Sequence, residues 1–415
     1  MHIVLVSDAE TQGGAGIAAS RLADSLWQAG HRVTRLVAAT DEKHHIWQTQ
    51  TLALSYPLPL LQRLAWHVLP PGEREAFGNR LLRGRLNELL AELRPDVINL
   101  HNLHQTFHPR WSPALVKTCL KHAPVVWTLH DMWSFTGRCV YSFGCERFVS
   151  GCDAACPTAM DYPALPPNRI AAAWAARREV LQDSAPLVAV TPSHWLAREA
   201  QRGLWMGRRV EVISYGLNLD AYRPTDRVQA RLALGLKPEG RLLLFAAQNL
   251  TDARKGWPLL REALPRLSER YVKLLTIGNG ELPDRVGEIE VVRLGCVGDE
   301  ETKALIYNAA DLLTHPAPAD NAPLVVMEAL ACGLPVAGFA VGGVPEMILP
   351  EQTGWLARDV TPESLARLLE LALSDLEQGV DLRHDCRRFA ENQFNFARQA
   401  QLYTTLFSSL LVPRP

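Results

Sequence analysis

The chain has 415 residues and a mass of 46.1 kDa, more than one hydrophobic core normally supports, so two or three domains are expected. Its 43 basic side chains nearly balance 44 acidic ones, and a formal charge of −1 excludes the basic excess of a nucleic-acid binder. A content of 47% hydrophobic and 21% charged residues excludes extended disorder.

No apolar run reaches the ~18 residues of a membrane span. The opening MHIVLVSDAE lacks the basic segment of a signal peptide, so a cytoplasmic location is expected. Eight cysteines are too few for a disulfide scaffold in a chain of this length.

His2–Ser7 (HIVLVS) is a short β-branched strand, followed by a glycine loop, a helical stretch (RLADSLWQAG) and a second apolar run, HRVTRLVAA. Strand, glycine turn, helix and strand make the opening βαβ unit of a parallel sheet. Further strands are expected at 95–101, 124–130, 186–191 and 209–214. After the linker-like LNLDAYRPTD a second set begins, at 241–247, 272–278, 289–295, 310–317 and 334–340. These runs are apolar on both faces, as strands buried between helix layers are.

The fold class is therefore α/β, with two Rossmann-like doubly wound parallel sheets. The expected domains are 1–222, with an insertion at 50–95 and a cysteine-rich loop at 137–157, then 223–390, then a C-terminal helical stretch, 391–415. The insertion interleaves Arg63, Arg80, Arg83 and Arg85 with leucines. That pattern suits contact with an anionic membrane surface, or, more commonly, an amphipathic helix packed on its own domain.

Four places carry candidate chemistry. The first is the loop Gln12–Gly16, where Gly13 and Gly14 let backbone approach a phosphate or sugar; a ligand-free tight turn explains the same glycines. It does not spell GxGxxG, so the dinucleotide fingerprint fails. The second is NLTDARKGW, with Arg254 and Lys255 at the carboxyl end of a strand. Paired cations there suit a diphosphate leaving group, although a solvated pair is the commoner use of such residues.

The third is APADNAPLVVMEALACGLP, where Asp320 and Glu328 flank seven residues. Asn321, Ala322, Pro323 and Leu324 form the turn that starts a helix, and its N–H groups suit a phosphate or sugar hydroxyl. Glu328, one turn on in an apolar string, suits the paired hydroxyls of a ribose, since a buried acid needs partners. The fourth is the strand-end histidines: His130 with Asp131, and His101 with His104 on the neighbouring strand, all expected at the crevice and on the acceptor side.

Cys139, Cys145, Cys152 and Cys156 crowd into one glycine-punctuated loop. Four thiolates could close a tetrahedral structural zinc; free or transiently oxidised thiols, or an iron–sulfur cluster, remain open.

The glycine loop, RKG, TIGNGE with Gly278, and the acid–x7–acid segment running into EALACGLPV occur in one order. In that order they resemble glycosyltransferase family 4, of the GT-B fold, over nearly the whole chain. WTLHDMWSFTGRC with its following cysteines resembles the bacterial exopolysaccharide branch, including colanic acid enzymes.

The resemblance implies two facing Rossmann-like domains with the last helix crossing back to the first. It also implies sugar transfer with retention and no catalytic cofactor. On this chain it implies that Arg254 and Lys255 hold the donor diphosphate, Glu328 the ribose, and Gly14 the phosphate or sugar. His130 would meet the sugar. Asp320 stands where the family has a first Glu, one methylene longer, which touches the donor sugar; that departure bears on donor identity. The implied partners are a UDP- or GDP-sugar and a saccharide or lipid-linked acceptor, with peripheral membrane contact. Two other readings share this architecture: a non-catalytic nucleotide-sugar-binding partner, and a sugar-nucleotide epimerase.

Overall fold

The computed structural model describes residues 1–40, 47–52, 67–104, 111–182, 186–267 and 272–411. The chain divides into two compact units, Met1–Tyr215 with Ala397–Pro415, and Gly216–Phe396.

The first unit holds β1 (His2–Ala9), β2 (Arg32–Ala39), β3 (Gln48–Thr51), β4 (Val97–Leu100), β5 (Val125–Thr128), β6 (Leu187–Thr191) and β7 (Val210–Val212). They form one sheet in the order β3-β2-β1-β4-β5-β6-β7, parallel at every pairing. Strand β1 is central, with Ile3 opposite Val33 on one side and Val97 on the other.

Both faces of this sheet are covered, which is why its central strands are apolar throughout. On one face Ile3, Leu5, Val126 and Val188 meet Leu22 and Leu26 of the helix Gly13–Gln28. Tyr403, Leu406 and Phe407 of the helix Phe396–Leu410 join the same cluster, and the Tyr403 hydroxyl lies 3.0 Å from Thr128 Oγ1. On the other face Val4, Val6, Ile98 and Leu100 meet Leu82, Leu86, Leu89 and Leu90 of the helix Pro71–Leu93. Those leucines recur three and four apart, one stripe of a helix. The helix spends that stripe on its own unit, and Arg83 donates to Thr118 Oγ1 beside it. Residues 53–66 of the expected insertion, Arg63 among them, lie outside the described residues.

The second unit holds β8 (Arg241–Asn249), β9 (Val272–Asn279), β10 (Arg285–Val286), β11 (Ile289–Arg293), β12 (Leu312–His315), β13 (Val336–Phe339) and β14 (Gly354–Ala357). Their order is β10-β11-β9-β8-β12-β13-β14, parallel except for the β10–β11 hairpin.

Three strands escape the sequence reading. The polar QTQT of β3 shows no apolar run, β10 has two residues, and β14 is four residues opening on a glycine. The unit boundary falls at 215/216 rather than 222/223. Leu217 donates its N–H to Phe394 O, and the Tyr222 ring packs at a tilt against Tyr307, so the expected linker is already part of the second unit. At the other end the change comes at 396/397 rather than 390/391, because Asn395 bridges to Leu217.

In each sheet the strand order reverses direction beside its first strand, between β1 and β4 and between β8 and β12. Ligands of open α/β sheets sit outside the carboxyl ends of the strands at such a point.

Candidate functional site

In the second unit the segments after β8 and β12 meet at the switch point. Asp252 accepts the Arg254 backbone N–H at 3.0 Å and so starts a turn of 3₁₀-helix, Ala253–Lys255. The same carboxylate takes the Arg254 guanidinium, Nη2 at 2.7 Å and Nε at 3.2 Å. Gly256 ends the turn at φ +84°, and a Cβ there would stand 1.9 Å from Pro316 O. Only glycine lets the two segments approach so closely.

That approach places Lys255 Nζ 2.9 Å from Asp320 Oδ2, while Asp320 Oδ1 accepts the Asn321 N–H at 2.9 Å. Asp320 is 6% exposed. Burial alone would raise its pKa, but the Lys255 charge, with these hydrogen bonds, holds it below the usual carboxylate range. His315, the last residue of β12, lies 3.6 Å from Asp320, beyond hydrogen-bond reach. Burial brings its pKa down to about 4, so at neutral pH it carries no charge, and Lys255 is the largest influence holding the acid ionised.

Glu328 lies on the helix Leu324–Ala331 and is buried, with the Tyr307 hydroxyl donating to its Oε2 at 2.9 Å. Sequence reading gave this acid a ribose for a partner and missed Tyr307, which supplies a protein partner from the preceding helix. Ala322, Pro323 and Leu324 lead into that helix as expected, with Pro323 O accepting from Val326 N–H at 3.1 Å. Gly278 has a packing reason of its own: at φ +144° a Cβ would meet Ala247 O at 1.8 Å.

In the first unit His101 follows β4 and His130 follows β5, and the sheet brings them together. His101 Nδ1 and His130 Nε2 share a hydrogen bond of 3.0 Å, and His130 Nδ1 lies 2.6 Å from the Tyr215 hydroxyl. Burial takes the pKa of His130 down to about 4 and that of His101 well below its ordinary value. Both rings are therefore neutral at pH 7, and one proton serves the bond between them. Both nitrogens of His130 are engaged inside its own unit, so a sugar hydroxyl meets that ring only by exchanging with His101 or Tyr215.

The second pair is His104 Nε2 with Asp131 Oδ2 at 2.8 Å; Asp131 Oδ1 also accepts the Trp133 N–H at 2.8 Å. Beside these ends Gly13 opens its helix at φ +74°, and nothing stands within 4 Å of a Cβ built on Gly14. The loop before them is braced by a network the sequence did not disclose. Buried Arg35 donates to Ser7 Oγ, Ser20 Oγ and the carbonyls of Ala9 and Glu10, and the Glu10 carboxylate accepts from Thr40 and Thr49.

Residues 12–221 match Glycosyltransferase Family 4, and residues 240–375 match Glycosyl transferases group 1. The chain belongs to glycosyltransferase family 4. WcaC of Escherichia coli (strain K12), named as a glycosyl transferase of colanic acid biosynthesis, is 29% identical over 73% of this chain and 74% of its own.

Among solved structures, sucrose-phosphate synthase from Thermosynechococcus elongatus superposes with a TM-score of 0.73 at 20% identity, covering 98% of this chain and 99% of that one. Anabaena Alr3699/HepE, solved in complex with UDP-glucose, gives 0.69 at 17% identity over 99% and 100%. These neighbours share the GT-B fold, and the two parallel-sheet units are the two halves of it.

The four clustered cysteines of this family 4 chain lie in the first unit, and all four line one cavity. Among the described residues no group of three or more His, Cys, Asp or Glu side chains converges on a common point as metal ligands do. No helix among the described residues is long and apolar enough to cross a membrane.

The His104–Asp131 pair makes a pH-dependent contribution whose sign can be worked out. Burial works against both charges, but each partner overrides it, raising His104 above and holding Asp131 below its ordinary pKa. The Asp131 share is present above the unfolded carboxylate pKa and lost as pH falls through its folded value. The His104 share is present below the unfolded imidazole pKa and lost as pH rises through its folded value. His104→Ala is thus expected to destabilise by about 1–3 kcal/mol, most between roughly pH 4 and 6.5. Thermal melts at pH 5.5 and 8.5 check it; an equal loss at both would refute the charge pairing.

Proposed function

We propose that this family 4 enzyme is a retaining glycosyltransferase that works without a catalytic metal. It would move a sugar from a UDP- or GDP-sugar to a saccharide or lipid-linked saccharide in polysaccharide biosynthesis. The observation that carries the reading is the Lys255–Asp320 contact at the carboxyl ends of β8 and β12, with Arg254 adjacent and Glu328 on the next helix.

The chemistry needed is a place for the negative charge that grows on a departing diphosphate. Lys255 and Arg254 are fixed cations suited to take it, the role a divalent metal fills in other sites. Asp320 orients Lys255 and offers its carboxylate to a donor-sugar hydroxyl, reaching one methylene less than a glutamate. Glu328, held by Tyr307, accepts ribose hydroxyls.

In the retaining step the glycosidic C–O bond breaks and its electron pair leaves with the diphosphate. The acceptor hydroxyl then bonds to the anomeric carbon from the same face and passes its proton to the departing phosphate oxygen. The protein's part is positioning and charge stabilisation.

The WcaC relative supports a polysaccharide product, and the UDP-glucose complex of a GT-B neighbour supports a nucleotide-sugar donor. A cytoplasmic enzyme, peripheral at the membrane where its acceptor is lipid-linked, is the setting that fits this reading.

A melting-temperature screen against UDP, GDP, ADP, dTDP and their sugar conjugates tests the donor. A ligand at one hundred times its dissociation constant stabilises the folded state by ~2.7 kcal/mol. One nucleotide is expected to shift the wild type and to lose its shift in Glu328→Ala. No shift from any of them, in folded protein, would overturn the donor assignment, and an undiminished shift in Glu328→Ala would remove the ribose role.

A further inference from the structure

We propose that Cys139, Cys145, Cys152 and Cys156 bind one structural zinc ion in the first unit. The four residues come from a segment of 18 positions, and all four line a single cavity, with Phe148 and Thr158 in its wall. The space amounts to about 10 Å³, room for one water-sized occupant.

The segment needs a staple. Between the 3₁₀ turn Met132–Phe135 and the helix Pro167–Leu181 the only regular element is one helical turn, Arg147–Ser150. A stretch of roughly 30 residues with so little regular structure is uncommon in a compact domain unless something ties it. Arg138 ties part of it by donating to the carbonyls of Thr158, Tyr162 and Pro163. The thiols occupy the remainder.

The surroundings suit thiolates. The Gly137 N–H donates to Cys152 Sγ at 3.2 Å, the kind of outer bond that orients a metal-bound sulfur. Gly137 has no room for a side chain, since a Cβ would stand 2.7 Å from Cys152 Cβ and 2.6 Å from Ile170 Cγ2. Arg177, 4% exposed, runs beside Cys139 and Cys152. Its Nη1 donates to the carbonyls of Gly137 and Ala173, its Nε has no partner, and no carboxylate among the described residues forms an ion pair with it. The Trp133 ring lies 3.8 Å from its Cζ and the Asp131 carboxylate acts on it without a direct ion pair, and a buried cation so thinly balanced is costly. Four thiolates around Zn²⁺ carry a net charge of −2 and would add the adjacent negative charge that Arg177 lacks.

Binding takes one Zn²⁺, forms four Zn–S bonds and releases four thiol protons to solvent. An all-sulfur donor set selects zinc over the harder divalent ions. The loop ends on the turn behind His130: Met132 donates its N–H to Val140 O at 3.0 Å, and Thr136 Oγ1 donates to Cys139 O at 2.7 Å. Closing the cluster therefore fixes the segment that follows the β5 strand end.

The test is metal analysis of the full chain, expressed with added zinc and purified under reductant. About one zinc per chain is expected. A mercurial that titrates thiols should release it, Cys152→Ser and Cys145→Ala should lose most of it, and Cys296→Ser, at an exposed site elsewhere, should keep it. Should the cluster variants fail to fold, cobalt exchange into the wild type provides a second reading, the strong visible bands of tetrahedral cobalt thiolate. Metal-free protein whose four thiols react at the same rate with and without chelator would overturn the site. So would iron with acid-labile sulfide, or a disulfide between these cysteines in freshly isolated protein.

Discussion

Lys255→Ala is expected to lower kcat by about 10²–10³-fold, the usual loss when one fixed charge facing a developing anion is removed. Lys255→Arg should recover part of the loss, because it returns the charge in a different shape. Nucleoside affinity should change far less than kcat, since Glu328 and Tyr307 lie on other elements and remain in place.

A second consequence follows from Asp320, which Lys255 holds below the ordinary carboxylate pKa against the effect of burial. In the wild type that depressed pKa adds stability above the unfolded carboxylate pKa and loses it as pH falls through the folded value. Without Lys255 the largest influence opposing burial is gone and the Asn321 N–H remains, so the folded pKa moves up and the variant loses the stability that the depressed pKa adds above the unfolded value. Melting curves of the two proteins at pH 5 and pH 8 should therefore diverge at the higher pH. Wild-type turnover in Lys255→Ala would dispose of the diphosphate role, and parallel melting behaviour at both pH values would dispose of the ion pair.

Much of this site was legible because strands and the segments after them are local. Buried parallel strands show as unbroken apolar runs, and switch-point geometry then places RKG, Asp320, His101 and His130 at strand ends. What escaped depends on partners far apart in sequence. Glu328 reads as a buried acid needing a hydroxyl, but nothing local says that Tyr307, 21 residues earlier, supplies one. His130 reads as a ligand residue, but its Tyr215 partner is 85 residues away and belongs to the end of the first unit. Arg35 sits in an apolar strand and reads as an interruption until the fold brings Ser7, Ala9, Glu10 and Ser20 around it. The cysteines show the same division: their crowding is in the sequence, while their common cavity is a property of the folded loop.

The same two strands that carry Lys255 and Asp320 at their carboxyl ends are fastened at their amino ends by one acid. Asp311, just before β12, is buried. Its Oδ2 accepts Arg231 Nη2 at 2.6 Å and the Leu242 N–H of β8 at 2.8 Å, while Oδ1 accepts Arg227 at 2.6 Å and Arg241 at 3.3 Å. Arg231 is itself 3% exposed and spends its other donors on the carbonyls of Ala309, Pro238 and Gly240.

Asp311→Ala would leave that guanidinium buried without its counter-charge and the Leu242 N–H without its acceptor. Breaking a buried pair from one side costs about 3–5 kcal/mol, and that is the expected loss. A chain of two units need not unfold in one step, so the readout is hydrogen exchange followed by peptide. Peptides from β8 and β12 should lose protection while those from β1, β4 and β5 keep theirs. At a temperature where the variant stays folded, donor turnover should survive, because the substitution lies at the far ends of the strands from Lys255. Lys255→Ala should do the reverse. A variant at 311 that lost turnover while holding its protection would show that the two ends of these strands are not separable, and would move Asp311 into the donor site.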